Sequence, residues 1–342
     1  MTAEKSIGAC APVLLIGFNR PDFMAAQIAA IRPARPDRLY IAVDGPRADR
    51  QNEAEQCRQV RDCAKLIDWP CEVKTLFRET NLGCKYGVSG AITWFFENEQ
   101  AGIVLEDDCR PALDFLWFAT EMLDRYRDDV RIGAVCGFNF FNLQSDKSAP
   151  YHFSRHMDVW GWASWRRVVK QWDEKYTFLD DTFSMKQLDA LIRQRGYRKS
   201  FIKMCQDHRD SGKPQFESVF WATMLFNSGM AIMPSKNMIN NVGASADSAH
   251  YSEFKTMPRR LKKLFTMKRY ELDFPLRHPH YVIEEVGYWK RMYKANGWGY
   301  PLTKTGRSLE ELWLNIRYGN FGFIFKSLKR RIRILLGIEK FS

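Results

Sequence analysis

Short apolar runs alternate with polar, helix-like stretches through the first 110 residues of the chain. Each run ends at a turn signal, so we predict four strands: residues 12–18, 38–43, 71–77 and 102–105. Helical patterns follow the first three strands, the first of them with Asp22 as its predicted N-cap: residues 23–31, about 50–67, and a stretch bearing Val88, Ile92, Phe95 and Phe96. This alternation predicts a parallel sheet covered by helices, which binds ligands at the C-terminal ends of its strands.

The alternation breaks down after a predicted helix at 113–127 and a fifth predicted strand at 131–136. Aromatic-rich segments then mix with long helical patterns at 184–212 and 217–228, followed by a predicted strand at 230–235. We interpret this region as the second half of the same domain, supplying the rest of a ligand site. A basic connector begins at residue 255.

Composition excludes several classes of protein. The 342 residues are 45% hydrophobic and 14% aromatic, with only 14 prolines and 21 glycines, which excludes a disordered or collagenous chain. No run of about 18 apolar residues occurs, and the N-terminal residues do not have the pattern of a secretory signal. The eight cysteines are scattered without a CxxC pair, so we expect reduced thiols in a cytoplasmic protein.

The net charge of +12 comes entirely from the last quarter of the chain. Residues 1–250 carry 32 basic and 32 acidic side chains, whereas residues 251–342 carry 20 and 8. No aromatic-basic or zinc-finger pattern accompanies this charge, so we expect no nucleic-acid partner. The segment 321–341 interleaves large apolar residues with Lys and Arg, which is typical of a helix lying on an anionic membrane surface. The alternative is a helix packed on the body or at an oligomer interface.

Three consecutive acids, Glu106, Asp107 and Asp108, follow the fourth predicted strand. Because adjacent carboxylates repel one another and burial of one is costly, a cation is their natural compensation. A hard divalent ion with oxygen ligands fits this chemistry and can bridge two phosphates. The alternative is a solvated acidic turn.

Polar residues also end the first two predicted strands. Asn19 and Arg20 follow the first and Asp44 follows the second, so all three would lie on the same sheet edge. A carboxylate there can accept a hydrogen bond from the N3–H of uracil, and an arginine can reach a base or a phosphate. An ordinary turn at Asp44 is the alternative. The glycines between Arg78 and Gly90 lack the dinucleotide-binding spacing and indicate close helix packing instead.

Three further features are candidates for a site in the second half. Trp160 and Trp162 flank Gly161, and indoles stack on sugar faces, although a hydrophobic wall would look the same. Glu217 lies among aromatic residues at a predicted helix start. Such apolar surroundings raise the pKa of a carboxyl toward the range of a general base. Alternatively, an acidic residue occurs at this position because the helix dipole favours a negative charge there. His250 is a candidate metal ligand or a structural histidine.

These features together resemble the GT-A glycosyltransferases over about residues 10–255. The residues that carry the resemblance are Asn19-Arg20-Pro21, Asp44-Gly45, Arg78 through Gly83, Glu106-Asp107-Asp108 before Pro111 and Asp114-Phe115, and Trp160-Gly161-Trp162. The sequence is most similar to bacterial family-2-like sugar transferases, sometimes labelled haemolytic-protein-like, and more distantly to N-acetylglucosaminyltransferase I.

The resemblance implies a Rossmann-like mixed sheet flanked by helices in residues 1–254, with a nucleotide-binding half (10–136) and an acceptor half (137–254), and a basic helical extension in 255–342. It implies a hexosyltransferase that uses a UDP-linked nucleotide-sugar donor, with Mn²⁺ or Mg²⁺ bound by Asp108.

The same resemblance implies a role for each remaining candidate. The donor would be held by Asn19, Arg20, Asp44, Arg78, Gly83, Glu106 and Asp107. Glu217 matches the position of the catalytic base, although Phe216-Glu217-Ser218 replaces the Trp-Asp usual in relatives. The expected reaction inverts the anomeric configuration and builds a bacterial surface glycan on a glycan or lipid-linked acceptor, on the inner face of the cell membrane.

Two other functions remain open at this point. One is a nucleotide- or carbohydrate-binding adaptor without turnover. The other is a sugar-phosphate nucleotidyltransferase, which would need a Gly-rich loop after the first strand, where this chain has Gly17-Phe18-Asn19-Arg20-Pro21.

Overall fold

The computed structural model of the chain describes residues 9–143, 149–212, 215–243 and 251–335. These residues form ten strands: β1 Val13–Gly17, β2 Arg38–Val43, β3 Glu72–Phe77, β4 Ala101–Glu106, β5 Cys109–Pro111, β6 Ile132–Cys136, β7 Tyr151–Ser154, β8 Trp162–Trp165, β9 Met230–Pro234 and β10 Ile239–Asn241. They also form thirteen α-helices: α1 Pro21–Ile31, α2 Glu53–Asp62, α3 Gly83–Asn98, α4 Leu113–Arg125, α5 Arg166–Val169, α6 Thr182–Leu191, α7 Arg195–Asp210, α8 Phe216–Phe226, α9 Tyr251–Thr256, α10 Arg259–Phe265, α11 Val286–Asn296, α12 Pro301–Arg317 and α13 Phe321–Leu335.

Eight strands form one mixed sheet in the order β3-β2-β1-β4-β8-β6-β9-β7. The strands β3, β2, β1 and β4 are mutually parallel, whereas β8 and β7 run antiparallel to their neighbours. Because Gly17 is paired with Val43, and Ile16 with Glu106, the residues that follow β1, β2 and β4 meet at one edge. Helices flank this sheet, which confirms the predicted α/β class.

All five predicted strands of the first half are present. Residues 13–17 are completely buried, because β1 lies in the middle of a sheet with neighbours on both sides. Helix α3 packs on β1, β2 and β4, and α4 packs on β4, β6 and β8. The rings of Phe95, Phe96, Phe115 and Phe118 on these helices are fully buried and form much of the core.

Two predicted helix boundaries are wrong. Helix α1 starts at Pro21, so Asp22 lies in its first turn and does not cap it. The pattern at 184–212 is not one helix but two, α6 and α7. The break is stabilised by Gln194, whose Oε1 accepts a hydrogen bond from the Tyr197 amide at 2.6 Å and so satisfies a free donor at the start of α7.

The chain divides into two units. The first consists of residues 1–176, 208–242 and 267–285 and contains the large sheet. Residues 267–285 belong to it because the Leu272 amide donates to Asp114 and the Tyr270 amide donates to the Asn237 carbonyl, both at 2.8 Å. The sequence-based boundary after residue 254 therefore differs from this division.

The second unit consists of residues 177–207, 243–266 and 286–342, and it is helical in its described part. Tyr197 lies at the centre of an aromatic cluster in this unit. Its ring centroid is 5.7, 5.3 and 5.9 Å from those of Trp289, Tyr293 and Trp298. No helix in the described ranges is both long and apolar enough to cross a membrane.

Candidate functional site

A cavity of about 490 Å³ lies at the C-terminal ends of β1, β2, β3 and β4, the edge predicted to bind ligand. It combines apolar, acidic and basic side chains, as small-molecule sites do. Its walls include Phe18, Arg20, Asp44, Arg47, Arg78, Asn81, Gly83, Cys84, Val88, Glu106 and Asp107. The structure therefore brings six of the seven predicted donor-binding residues to one cavity, the exception being Asn19.

The acidic turn after β4 is held by a basic pair. Arg20 forms a bidentate ion pair with Asp107, and its guanidinium nitrogen lies 3.6 Å from an Asp108 carboxylate oxygen. Arg110 donates to the Asp107 carbonyl, and both arginines stack on the Phe23 ring at 4.7 and 5.1 Å from its centroid. Burial raises the pKa of Asp107 to about 6, although the charge of Arg20 acts in the opposite direction.

Glu106 is the most strongly perturbed carboxyl of the turn. Its pKa is raised well above the ordinary value, first by burial and then by the charges of Asp108, Glu217 and Asp107. Like charges and a poorly hydrated cavity wall both disfavour its anion. A cation entering this edge would therefore stabilise the ionised form of Glu106.

Asp44 is fully engaged by the chain's own donors. Its carboxylate accepts from the Leu82 and Gly83 amides and from Asn81 Nδ2, all at 3.1 Å, and from the Gly45 amide at 3.0 Å. The Leu82 and Gly83 amides are free donors at the start of α3, so Asp44 caps that helix from a neighbouring strand. The predicted contact with uracil would have to coexist with this role.

Arg78 also braces α3. Its Nη1 donates to the Gly87 carbonyl at 2.9 Å, and burial lowers its pKa, partly offset by the charge of Asp44. Gly83 starts α3 with φ at +78°, a conformation that favours glycine. The predicted donor-binding residues Arg78 and Gly83 thus shape the cavity wall.

Asn19 contacts a buried glutamate and is not among the described residues that line the cavity. Its Nδ2 donates to Glu53 Oε1 at 3.0 Å, and Glu53 is 3% exposed and paired with Arg47. Hydrogen bonds from Arg47 lower the pKa of Glu53. Arg47 lines the cavity with its guanidinium 5.5 Å from the Phe18 ring centroid.

Arg47 and Arg110 were missed by the sequence reasoning. Each follows a strand-end aspartate by three residues, Asp44 and Asp107 respectively. A basic residue at that spacing was the only available signal.

Glu217 occupies the second residue of α8, in the helix's first turn. Desolvation raises its pKa, although the residue as a whole is exposed. Its charge contributes to the raised pKa values of Glu106 and of the Cys84 thiol. A carboxyl with a raised pKa suits a general base, although Glu217 is not among the described residues that line the cavity.

A buried hydrogen-bond cluster fixes the start of α8. Ser218 Oγ lies 2.7 Å from Tyr176 Oη and 2.8 Å from His208 Nδ1, and it donates to the Gln215 carbonyl at 3.0 Å. Because Ser218 directly follows Glu217, this cluster holds the backbone that carries the candidate base.

The tryptophan segment separates into two roles. Trp162 is 1% exposed, and its ring stacks on those of Phe96 and Phe216 with centroid distances of 6.3 Å each. The prediction that Trp162 binds a sugar is therefore wrong, because its ring is buried in the hydrophobic core. Trp160 is half-buried, with its ring 4.7 Å from Phe138. Gly161 has φ at +63°, and a Cβ there would meet Ile239 Cδ1 at 2.5 Å, so glycine is required by the backbone.

The acidic turn supplies some, but not all, of the ligands that a divalent metal needs. Asp108 accepts a hydrogen bond from Asn241 at 3.3 Å, and oxygen donors of this kind suit Mg²⁺ or Mn²⁺. Within the described ranges, no three His, Cys, Asp or Glu side chains converge into a complete metal site. Mg²⁺ in phosphate-transfer sites is typically held by one or two carboxylates together with substrate phosphates, so the residues present fit that mode. The other predicted ligand, His250, lies outside the described residues.

Comparisons with known proteins give little beyond this geometry. No protein-family model matches the sequence, and no curated protein matches it. Among solved structures, HddC from Yersinia pseudotuberculosis is similar at 12% identity and a TM-score of 0.29, over 47% of this chain and 79% of that one. A 4-diphosphocytidyl-2C-methyl-D-erythritol synthase from Anaerococcus prevotii is similar at 7% identity and a TM-score of 0.28, over 47% and 74%. These similarities are weak, and no residue role rests on them.

Proposed function

We propose that this chain is a metal-dependent glycosyltransferase that moves a hexose from a nucleotide sugar, a UDP-sugar, to a hydroxyl of a glycan or lipid-linked acceptor. One observation carries the proposal: a strand-end cavity whose wall combines the acids Glu106 and Asp107 of the acidic turn with basic side chains such as Arg20. Residues at the ends of β1, β2, β3 and β4 converge there. A simple solvated turn does not account for that convergence.

The cavity suits a nucleoside diphosphate. Arg47 and Phe18 offer a cation and a ring face to a base or ribose, and Arg20 places positive charge beside the acidic turn. Asp108 and Glu106 would hold Mn²⁺ or Mg²⁺ together with the diphosphate. When bound, the ion supplies positive charge where the departing diphosphate gains negative charge.

The transfer itself needs a base on the acceptor side. Glu217 would take the proton from the acceptor hydroxyl as the oxygen bonds to the anomeric carbon. The bond from that carbon to the diphosphate oxygen breaks, and its electron pair leaves with the nucleoside diphosphate. Attack from the face opposite the leaving group inverts the anomeric configuration. Trp160 is the remaining aromatic candidate for contact with a sugar.

Isothermal titration of UDP tests the donor site. We expect wild-type protein to bind UDP with Mn²⁺ and at least about tenfold more weakly with EDTA. Asp108→Asn should lose the dependence on Mn²⁺, whereas Asp128→Asn, at a side chain 95% exposed, should bind as wild type does. Equal UDP affinity with and without the metal in wild type would contradict the proposed role of the ion.

A further inference from the structure

Two neighbouring helices of the second unit expose apolar stripes to solvent. On α12, Leu302, Leu309, Leu312, Trp313 and Ile316 are 87, 60, 43, 53 and 51% exposed. Their spacing places them on one face of a helix with 3.6 residues per turn. A soluble helix normally turns such a face toward a core, so this stripe lacks its usual cover among the described residues.

The next helix repeats the feature. On α13, Phe321, Phe325, Leu328 and Ile332 are 54, 69, 53 and 47% exposed and share one face. The two helices contact each other after a turn at Gly319, whose φ is +68°. Leu309 and Leu312 of α12 line the same groove as Leu328 of α13. The two stripes therefore form one exposed surface, which we call the α12–α13 surface. Contiguous apolar patches of this kind mark interaction sites.

Charge identifies the kind of partner. The second unit carries 23 Lys and Arg against 9 Asp and Glu, whereas the first carries 29 against 31. The segment 326–333 holds five basic residues, and no acidic residue occurs in 312–338. A second copy of this chain would bring two strongly positive surfaces together, which is unfavourable. An anionic lipid surface instead attracts this charge while its acyl region accepts the apolar stripes.

The aromatic residues agree with a bilayer interface. Trp313 is half-exposed with the Arg317 guanidinium 5.2 Å from its ring centroid, and Tyr318 is 50% exposed at the end of the same helix. Amphipathic rings of this type are enriched where hydrocarbon meets headgroups. We therefore propose that the α12–α13 surface docks this protein on an anionic membrane, with both helices lying in the interface plane. This inference is independent of the donor chemistry.

Vesicle flotation of the full chain tests the proposal. With phosphatidylcholine vesicles containing about 30% phosphatidylglycerol, we expect binding at least about tenfold stronger than with phosphatidylcholine alone, and weaker binding at high salt. Trp313→Gln/Phe325→Gln should reduce the partition coefficient by about 10- to 100-fold. Lys326→Gln/Lys329→Gln should reduce it by about 10- to 30-fold, and only for anionic vesicles.

A matched control removes equally exposed apolar side chains elsewhere. Tyr281→Gln/Ile283→Gln changes residues that are 71 and 73% exposed in the first unit and should bind vesicles as wild type does. Because all these positions are exposed, each variant should keep the wild-type melting temperature. Absence of wild-type flotation, or unchanged binding of Trp313→Gln/Phe325→Gln, overturns the proposal. So does a dimer by sedimentation velocity that dissociates in that variant, since it assigns the surface to a second copy.

Discussion

Asp44 offers a sharp test of how the candidate donor cavity is built. The Asp44→Ala substitution removes the acceptor of the Leu82 and Gly83 amides, of Asn81 Nδ2 and of the Gly45 amide. It thus leaves the start of α3 without its cap. We predict that the main effect of this substitution is on stability.

The size of the effect follows from the bonds that are lost. A hydrogen bond to a charged group contributes about 1.5–3 kcal/mol, and an uncapped buried donor costs about 1–3 kcal/mol. Asp44 is only 9% exposed, but it lines a cavity. Water can therefore replace some of the hydrogen bonds that the carboxylate accepts in wild type. We therefore expect a loss of about 3–5 kcal/mol in the free energy of unfolding for the four lost contacts.

Urea unfolding followed by circular dichroism measures this loss. The matched control is Asp22→Ala, which removes an exposed aspartate in the first turn of α1 that caps no amide. The interaction of Asp22 with the helix dipole is worth about 0.3–1 kcal/mol, so the control should lose no more than that. UDP titration is run on both variants at a temperature where each is folded.

One result would refute the reasoning. If Asp44→Ala unfolds within about 0.5 kcal/mol of wild type yet no longer binds UDP, Asp44 recognises the base and does not act as the cap of α3.

Three further predictions concern the acceptor side of the site. Glu217→Gln should lower kcat by about 10²- to 10⁴-fold with unchanged UDP affinity. Because the ionised carboxylate acts as the base and its pKa is raised, wild-type activity should fall as the pH decreases through a value above the ordinary glutamate pKa. A pH profile with the pKa of an ordinary glutamate would contradict this role. Gly161→Ala should destabilise the protein by about 2–5 kcal/mol, because alanine is strained at a positive φ and its Cβ would approach Ile239 too closely. A melting temperature equal to that of wild type would contradict both causes. Trp162→Ala should lower the free energy of unfolding by about 3–5 kcal/mol, whereas Trp160→Ala should mainly weaken acceptor binding and raise the acceptor KM by about tenfold. The reverse pattern would make Trp160 the core residue and Trp162 the acceptor-binding residue.

The sheet could be predicted from the sequence because of where its strands lie. A parallel strand buried on both faces appears as a continuous apolar run, and the residues of β1, β2 and β4 have that form. The polar turn residues after each run were then predicted to meet at one sheet edge, and the structure has a cavity at that edge. Strand order was not needed for that conclusion.

Pairings across the chain could not be predicted, because they depend on strand order and on packing. Arg20 meets Asp107 only because β1 lies beside β4, which brings together residues 87 positions apart. The start of α7 after the break at 192–194 is capped by the Gln194 side chain, and hydrophobic periodicity does not reveal such a cap. Trp160 is half-buried and Trp162 is buried. This difference depends on the backbone at Gly161, whose positive φ interrupts the alternation of side chains along a strand.

Donor turnover is the most direct test of the proposed activity. Wild-type protein is incubated with Mn²⁺ and each of a set of UDP-sugars, without acceptor, and the released UDP and free sugar are followed by NMR. We predict slow hydrolysis of at least one UDP-sugar, lost with EDTA and in Asp108→Asn and retained in Asp128→Asn. No hydrolysis of any nucleotide sugar, with pyrophosphate released from a nucleoside triphosphate and a sugar 1-phosphate instead, would contradict the glycosyltransferase account and identify a nucleotidyltransferase.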